Sequence, residues 1–278
     1  MVSKQTPGMS GSRRSKEERR AEAREKARLL REQQEKRAKR NRLLVILGAI
    51  LALAVVALAI VKIVSTGTDE LGGYEGQARS AELKNVGDDL GIAIGANGEA
   101  AAERFADVPQ VQIYSDFMCI YCTQLDNAAS EAYLAHAAAK DVQVIHYPVA
   151  ILGQEFGQLG AAAAFYVATY APDKFEDFHR ALFERSTKIL IDRNAAQPNA
   201  GEIADIAKSV GISEDVVNDL PASITSEAWT KVVEDANIKF RDAGFAGTPT
   251  VLVDGTEDSS WGTLGMPALL DSLAAKNK

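Results

Sequence analysis

Cys119 and Cys122, the only cysteines of the 278-residue chain, form one C-x-x-C in the stretch YSDFMCIYCTQLD, Tyr114 to Asp126. Two sulfurs at this spacing serve three kinds of chemistry: a redox couple, half of a metal site, or a structural staple. A structural zinc site needs four nitrogen or sulfur ligands. Beyond the cysteines the chain offers only His136, His146 and His179, separated by 10 and 33 residues, and neither gap matches the short spacing of zinc-finger histidines. No metal site is expected. A staple closing so short a loop would constrain little unfolded-chain entropy, because the gain grows with loop length.

The redox reading gains from what surrounds the pair. VQIYSDF (Val111 to Phe117), VQVIHYPV (Val142 to Val149) and PTVLVDG (Pro249 to Gly255) are β-branched and aromatic runs that predict strands. Between the first two, Leu125, Ala128, Ala129, Ala132 and Ala135 follow helical spacing and predict a helix with one apolar face, giving β-α-β. Cys119 then falls between a strand and a helix start, where unpaired backbone N–H groups and the positive end of the helix dipole favour a thiolate. Cysteines so placed ionise at roughly 3.5 to 7.5, against about 8.5 when free. Cys122, three residues on, shares its helix face and can reach the first sulfur. A long helical block follows, punctuated by Pro172, Pro198 and Pro221, with Asp173, Ser213 and Ser226 as candidate N-caps. After the PTVLVDG strand come a short strand near 259–262 and a last helix, MPALLDSLAAKNK.

YSDFMCIYC after a strand, together with AGTPTVLVDG near the C-terminus, resembles the DsbA-like branch of the thioredoxin-fold thiol-disulfide oxidoreductases. The resemblance covers about 92–278. It implies an α/β thioredoxin fold with a helical domain inserted at about 152–243. It also implies Cys119 as exposed nucleophile, Cys122 as resolving thiol, Pro249 as a cis-proline facing the couple, and the backbone of Thr248 as a pairing site for extended substrate. No cofactor is expected beyond the Cys119–Cys122 disulfide. The chain departs from many relatives between the cysteines, where Ile120-Tyr121 stands in place of proline followed by histidine or tyrosine. Residues at that position tune the thiolate, so fold and chemistry carry over better than redox potential.

Other residues have bland readings beside sharper ones. Asp116, three residues before Cys119, is a candidate for tuning the thiol or relaying a proton, and Tyr121 a second candidate for tuning; an aspartate there more often caps a turn or is solvated. His146 reads as a partly buried structural residue of a strand, and His136 and His179 as surface or boundary residues of helices. Trp229 reads as packing, and Trp261 as packing or a border of the groove near Pro249. GIAIGANGEA lacks the Lys-Ser/Thr of a phosphate loop and reads as a turn-rich approach to the first strand.

The chain must also place this chemistry. Residues 1–42 hold 15 Lys or Arg against 6 Glu, whereas the whole chain is at −7. LLVILGAILALAVVALAIV, Leu43 to Val61, runs 19 residues without a charge, about the length that crosses a hydrocarbon core of roughly 30 Å. The basic flank predicts a transmembrane helix over 43–64, residues 1–42 being a cytoplasmic basic helix and everything after it extracytoplasmic. A cleaved signal peptide is the competing reading, but the Ala57-Leu58-Ala59 triplet lies within the apolar run. Residues 65–80 predict a flexible linker and 81–278 the catalytic domain. The expected partners are exported proteins with cysteines and a membrane reoxidant of the DsbB or VKOR kind, the latter implied by the resemblance; no nucleic-acid partner is expected. The alternatives are a reductase or isomerase, for example for cytochrome haem-attachment thiols, and an envelope binding module in which the couple is incidental.

Overall fold

The computed structural model describes residues 71–192 and 195–277; the basic segment, the apolar run and the start of the linker lie outside them. Among the described residues no helix is long and apolar enough to cross a membrane.

Strand β3 (Gln110–Ser115) forms the centre of the sheet, and helix α1 (Ile120–Ala139) leads back to β4 (Gln143–Pro148), which pairs parallel to β3 with Ile113 opposite His146 and Ser115 opposite Pro148. β5 (Thr250–Val253) joins the other side of β3 antiparallel, Tyr114 opposite Thr250. That register brings the residues just before β5 to the end of β3 from which the C-x-x-C emerges. β6 (Thr256–Glu257) completes one edge, and a hairpin of β1 (Ile92–Ile94) and β2 (Ala100–Ala101) completes the other, in the order β2-β1-β4-β3-β5-β6. The stretch read as a turn-rich approach therefore contains a strand, whose three apolar residues are too few to show a period. The short strand expected near 259–262 lies earlier, at β6, and α7 (Trp261–Leu264) takes its place.

Every residue of β4 is buried, as expected for a strand covered on both faces. On one face α1 and α8 (Met266–Lys276) pack against Val111, Ile113, Val144 and Val251. The buried face of α1 is rotated from the alanine stripe seen in the sequence: Cys122, Leu125, Asp126, Ala129 and Tyr133 point inward, while Ala128 and Ala135 are exposed. Alanine carries too little apolar area to decide which way a helix turns; Tyr133 and Leu125 carry more.

The helical block holds α2 (Glu155–Tyr170), α3 (Phe175–Ile191), α4 (Ala200–Ser209), α5 (Glu214–Ile224) and α6 (Glu227–Asp242). Its core is built on α2, of which residues 161–168 are wholly buried, with Phe178, Leu182, Leu220 and Trp229 around it. Pro221 does not break the block but lies inside α5, close to its end, where the helix closes onto its carbonyl through the Thr225 N–H. Ser213 and Ser226 stand at the N-caps of α5 and α6, as the sequence predicts, though without a side-chain bond to the helix backbone, whereas Asp173 is not an N-cap; Asn199 caps α4 in a capping box with Glu202. Asp173 instead sits in a 3-10 turn, Pro172–Lys174, ahead of α3.

Residues 71–80 are not a free tether. Tyr74 donates its hydroxyl to Asp205 at 2.8 Å, Arg79 Nε donates to Asp219 at 2.8 Å and its guanidinium lies 5.0 Å over the Tyr170 ring, while Trp229 Nε1 donates to the Arg79 carbonyl at 3.0 Å. Two anchors with planar polar groups are enough to dock a segment that shows no periodicity of its own.

Candidate active site

The site is assembled at the turn between β3 and α1. Asp116 follows β3 directly, and its backbone carbonyl accepts the Cys119 N–H at 3.0 Å. Its carboxylate is buried, Oδ1 accepting from the Met118 N–H at 2.8 Å and Oδ2 from the Leu152 N–H at 3.0 Å. Both oxygens are therefore committed to the backbone, and the carboxylate clamps the turn to the loop after β4 instead of facing the cysteine sulfur. Burial raises its pKa, against those backbone N–H groups. Two glycines at the start of α2 permit this packing: a Cβ on Gly157 would meet Asp116 Oδ1 at 2.8 Å, and one on Gly160 would meet the Phe117 ring at 2.9 Å.

Cys119 is the N-cap of α1 and its sulfur accepts the Cys122 N–H at 3.3 Å. The first turn of the helix contains no acidic residue, so nothing offsets the positive end of its dipole. Both cysteines are free thiols here. The Cys119 pKa is drawn from 9.0 down to about 6: the Cys122 thiol donating to it contributes most, burial opposes, and the Cys122 N–H, the Thr248 hydroxyl and the Tyr121 N–H add to the lowering. Burial, and then the neighbouring Cys119 sulfur, push the Cys122 thiol far up. One thiol is thus a thiolate at neutral pH and its partner a proton-bearing leaving group.

Cys119 is less open than expected of an exposed nucleophile, at 6% against 1% for Cys122. Tyr121 acts on the sulfur through its backbone, its ring standing 65% exposed. Across the turn the Thr248–Pro249 bond is cis, and the Cys119 sulfur lies 3.2 Å from the Thr248 carbonyl oxygen, to which it donates while protonated. Ile120 and Leu152 leave apolar surface open beside the couple.

Lowering the folded pKa below the unfolded value makes the reduced protein more stable as pH rises. The Cys119 contribution is complete above 9.0 and is lost as pH falls through about 6. Allowing for screening on the solvent side, it amounts to about 1 kcal/mol at pH 7 and about 2 kcal/mol at pH 8. Urea unfolding of the reduced chain, referenced to Cys119→Ala, should show that difference opening between pH 5 and pH 8; a gap that stays constant with pH contradicts the lowered pKa.

Sequence reasoning missed what lies beneath the couple. His179 on α3 and His146 on β4 are each 1% exposed, their rings 4.0 Å apart, with Glu176 and Asp126 also buried beside them. His179 is not a boundary residue: it sits one turn from both Phe175 and Phe183 on the inner stripe of α3, a spacing visible in KFEDFHRALFE. Burial, and then His146, hold the His179 pKa well below its usual range.

A parallel βαβ with a cis-proline facing a Cys-x-x-Cys at a helix start defines a class. The chain belongs to the family of DSBA-like thioredoxin domains, whose sequence profile matches residues 110–274, more than half its length, and it is an enzyme of the thiol-disulfide oxidoreductase class. Among solved structures it is similar to the MdbA protein, a thiol-disulfide oxidoreductase from Actinomyces oris, with 22% identity and a TM-score of 0.62 over 71% of this chain and 90% of that one. It is also similar to MdbA from Corynebacterium diphtheriae, with 19% identity and a TM-score of 0.55 over 74% and 97% of the two chains. BdbD from Bacillus subtilis matches with 19% identity and a TM-score of 0.51 over 73% and 98%. At these identities the likeness is one of fold. No curated protein matches the chain.

Proposed function

We propose that this chain is a membrane-anchored, extracytoplasmic oxidase that forms disulfides in exported proteins. The observation that carries the direction of the chemistry is the place of the Cys119 sulfur at the N-cap of α1, 3.3 Å from the Cys122 N–H, where the Cys122 thiol and backbone N–H groups favour the thiolate. Stabilising the thiolate stabilises the reduced protein, and a couple whose reduced form is stabilised is a stronger oxidant.

In the oxidised protein a substrate thiolate attacks Cys119 Sγ, the Cys119–Cys122 bond breaks, and Cys122 leaves and takes a proton. A second substrate thiolate then attacks the substrate sulfur of the mixed disulfide and releases Cys119 as a thiolate. Two electrons have moved from the substrate dithiol to the protein, one proton has been taken up at Cys122, and the other has gone to solvent. Thr248 would pair its backbone with an extended substrate against cis-Pro249, with Ile120, Tyr121 and Leu152 as apolar neighbours. A membrane reoxidant of the DsbB or VKOR kind would take the electrons on. The anchor rests on the apolar run Leu43–Val61 and its basic flank.

Equilibration of the couple with glutathione measures its potential. A value near −120 mV supports the oxidase, and one near thioredoxin's, about −270 mV, overturns it in favour of a reductase.

A further inference from the structure

Behind the redox couple, two elements bring two imidazoles and a carboxylate to one point. His146 comes from β4, and Glu176 and His179 from the first turns of α3. All three residues are at most 3% exposed. Both nitrogens of each histidine and both oxygens of Glu176 are buried without a hydrogen-bond partner among the described residues. Six unmet polar atoms in one place depart from the rule that buried polar groups are paired, and each destabilises the fold unless something satisfies it.

The distances say what would. His146 Nε2 stands 3.4 Å from Glu176 Oε2. That is beyond the usual 2.7–3.2 Å of an N–H···O bond, yet close to the roughly 3.3 Å between neighbouring ligands of a tetrahedral ion with bonds of about 2.0–2.1 Å. One donor atom from each of His146, Glu176 and His179 lies within 4.8 Å of the others, so coordination needs an inward movement of about 1.5 Å at most. Asp126 Oδ1 lies 3.5 Å from His179 Nδ1, on the helix that carries Cys122. A carboxylate behind a metal-bound imidazole fixes its tautomer and orientation, which leaves His179 Nε2 for the ion. Two imidazoles and a carboxylate suit zinc and its neighbours, not calcium or magnesium, which take oxygen ligands.

We propose that His146, Glu176 and His179 bind one divalent transition-metal ion of the zinc class, with Asp126 orienting His179. The ion ties β4 to α3 and, through Asp126, to α1, so it braces the helical block against the sheet immediately behind the Cys119–Cys122 couple. The inference does not depend on the direction of the redox reaction.

The test uses the full chain with Cys119 and Cys122 held as their disulfide, so that neither thiol takes metal. After chelator treatment, Zn2+ is added, excess is removed, and retained metal is counted by mass spectrometry; Co2+ is added in parallel for its visible spectrum. The expected results are one equivalent of zinc per chain and an intense low-symmetry Co2+ spectrum. At a hundredfold excess over Kd the folded-to-unfolded ratio should rise about a hundredfold, raising Tm by about 5–10 °C. Glu176→Gln should abolish retention, and Asp126→Asn should weaken binding about 10- to 100-fold. Two buried histidine–carboxylate ion pairs are the competing account: under it the unaltered chain retains no zinc, its Tm is the same with Zn2+ or chelator, and Co2+ stays fully hydrated, any of which overturns the proposal even if the variants do not fold.

Discussion

Replacing Cys119 with serine should reduce thiol-disulfide exchange to the uncatalysed background, while Cys122→Ala should leave a working nucleophile that stalls. The two sulfurs are chemically identical in the sequence, and their environments separate them. With a pKa near 6, Cys119 is about 90% thiolate at pH 7, against about 3% for a free thiol at 8.5. A serine hydroxyl is not ionised there and cannot enter a disulfide, so the first variant retains no route. Cys122→Ala keeps the attacking thiolate but removes the donor that contributes most to its low pKa. A hydrogen bond to a charged group is worth about 1.5–3 kcal/mol, or about 1–2 pKa units. Cys119 should then titrate near 7–8, its alkylation at pH 7 should slow roughly 2- to 10-fold, and mixed disulfides formed when the Cys119 thiolate attacks a substrate disulfide should accumulate, because Cys122 is no longer there to displace the substrate. Stopped-flow alkylation and non-reducing gels read the two effects separately. Exchange at the normal rate in Cys119→Ser would remove the couple from the mechanism.

Asp116→Ala should cost about 2–4 kcal/mol of stability, measured as a drop in the urea midpoint with an unchanged slope. The carboxylate is wholly buried and accepts from the Met118 and Leu152 N–H groups, both of which lose their acceptor with it. Losing a buried acceptor costs about 1–3 kcal/mol for each donor left unmet, and some of the gap closes by relaxation. Asp116→Asn keeps one acceptor oxygen and should lose about half as much. A fully solvated aspartate would give a change within about 0.5 kcal/mol, so the experiment distinguishes a clamp from the surface residue that the sequence alone suggests.

The chemistry of this protein was legible in the sequence because it is local. Strand, turn, cysteine and helix start follow one another within about a dozen residues, and the sulfur's acidity comes first from the Cys122 thiol three residues on and then from backbone N–H groups of the helix N-terminus. AGTPTVLVDG marked the proline opposite the couple only by resemblance; the antiparallel register of β5 on β3 is what sets Thr248 at 3.2 Å from the sulfur. The role of Asp116 depended on where the loop after β4 comes to rest, 36 residues away. The histidines were judged by sequence spacing and set aside. Yet β4 and α3 bring His146 and His179 together across 33 residues, because the phenylalanines flanking His179 must be buried and carry it inward with them. Patterns of neighbouring residues specify elements and the chemistry at their ends. Which buried polar groups meet is decided only when those elements pack, since the apolar area that drives the packing is indifferent to the polar atoms it brings along.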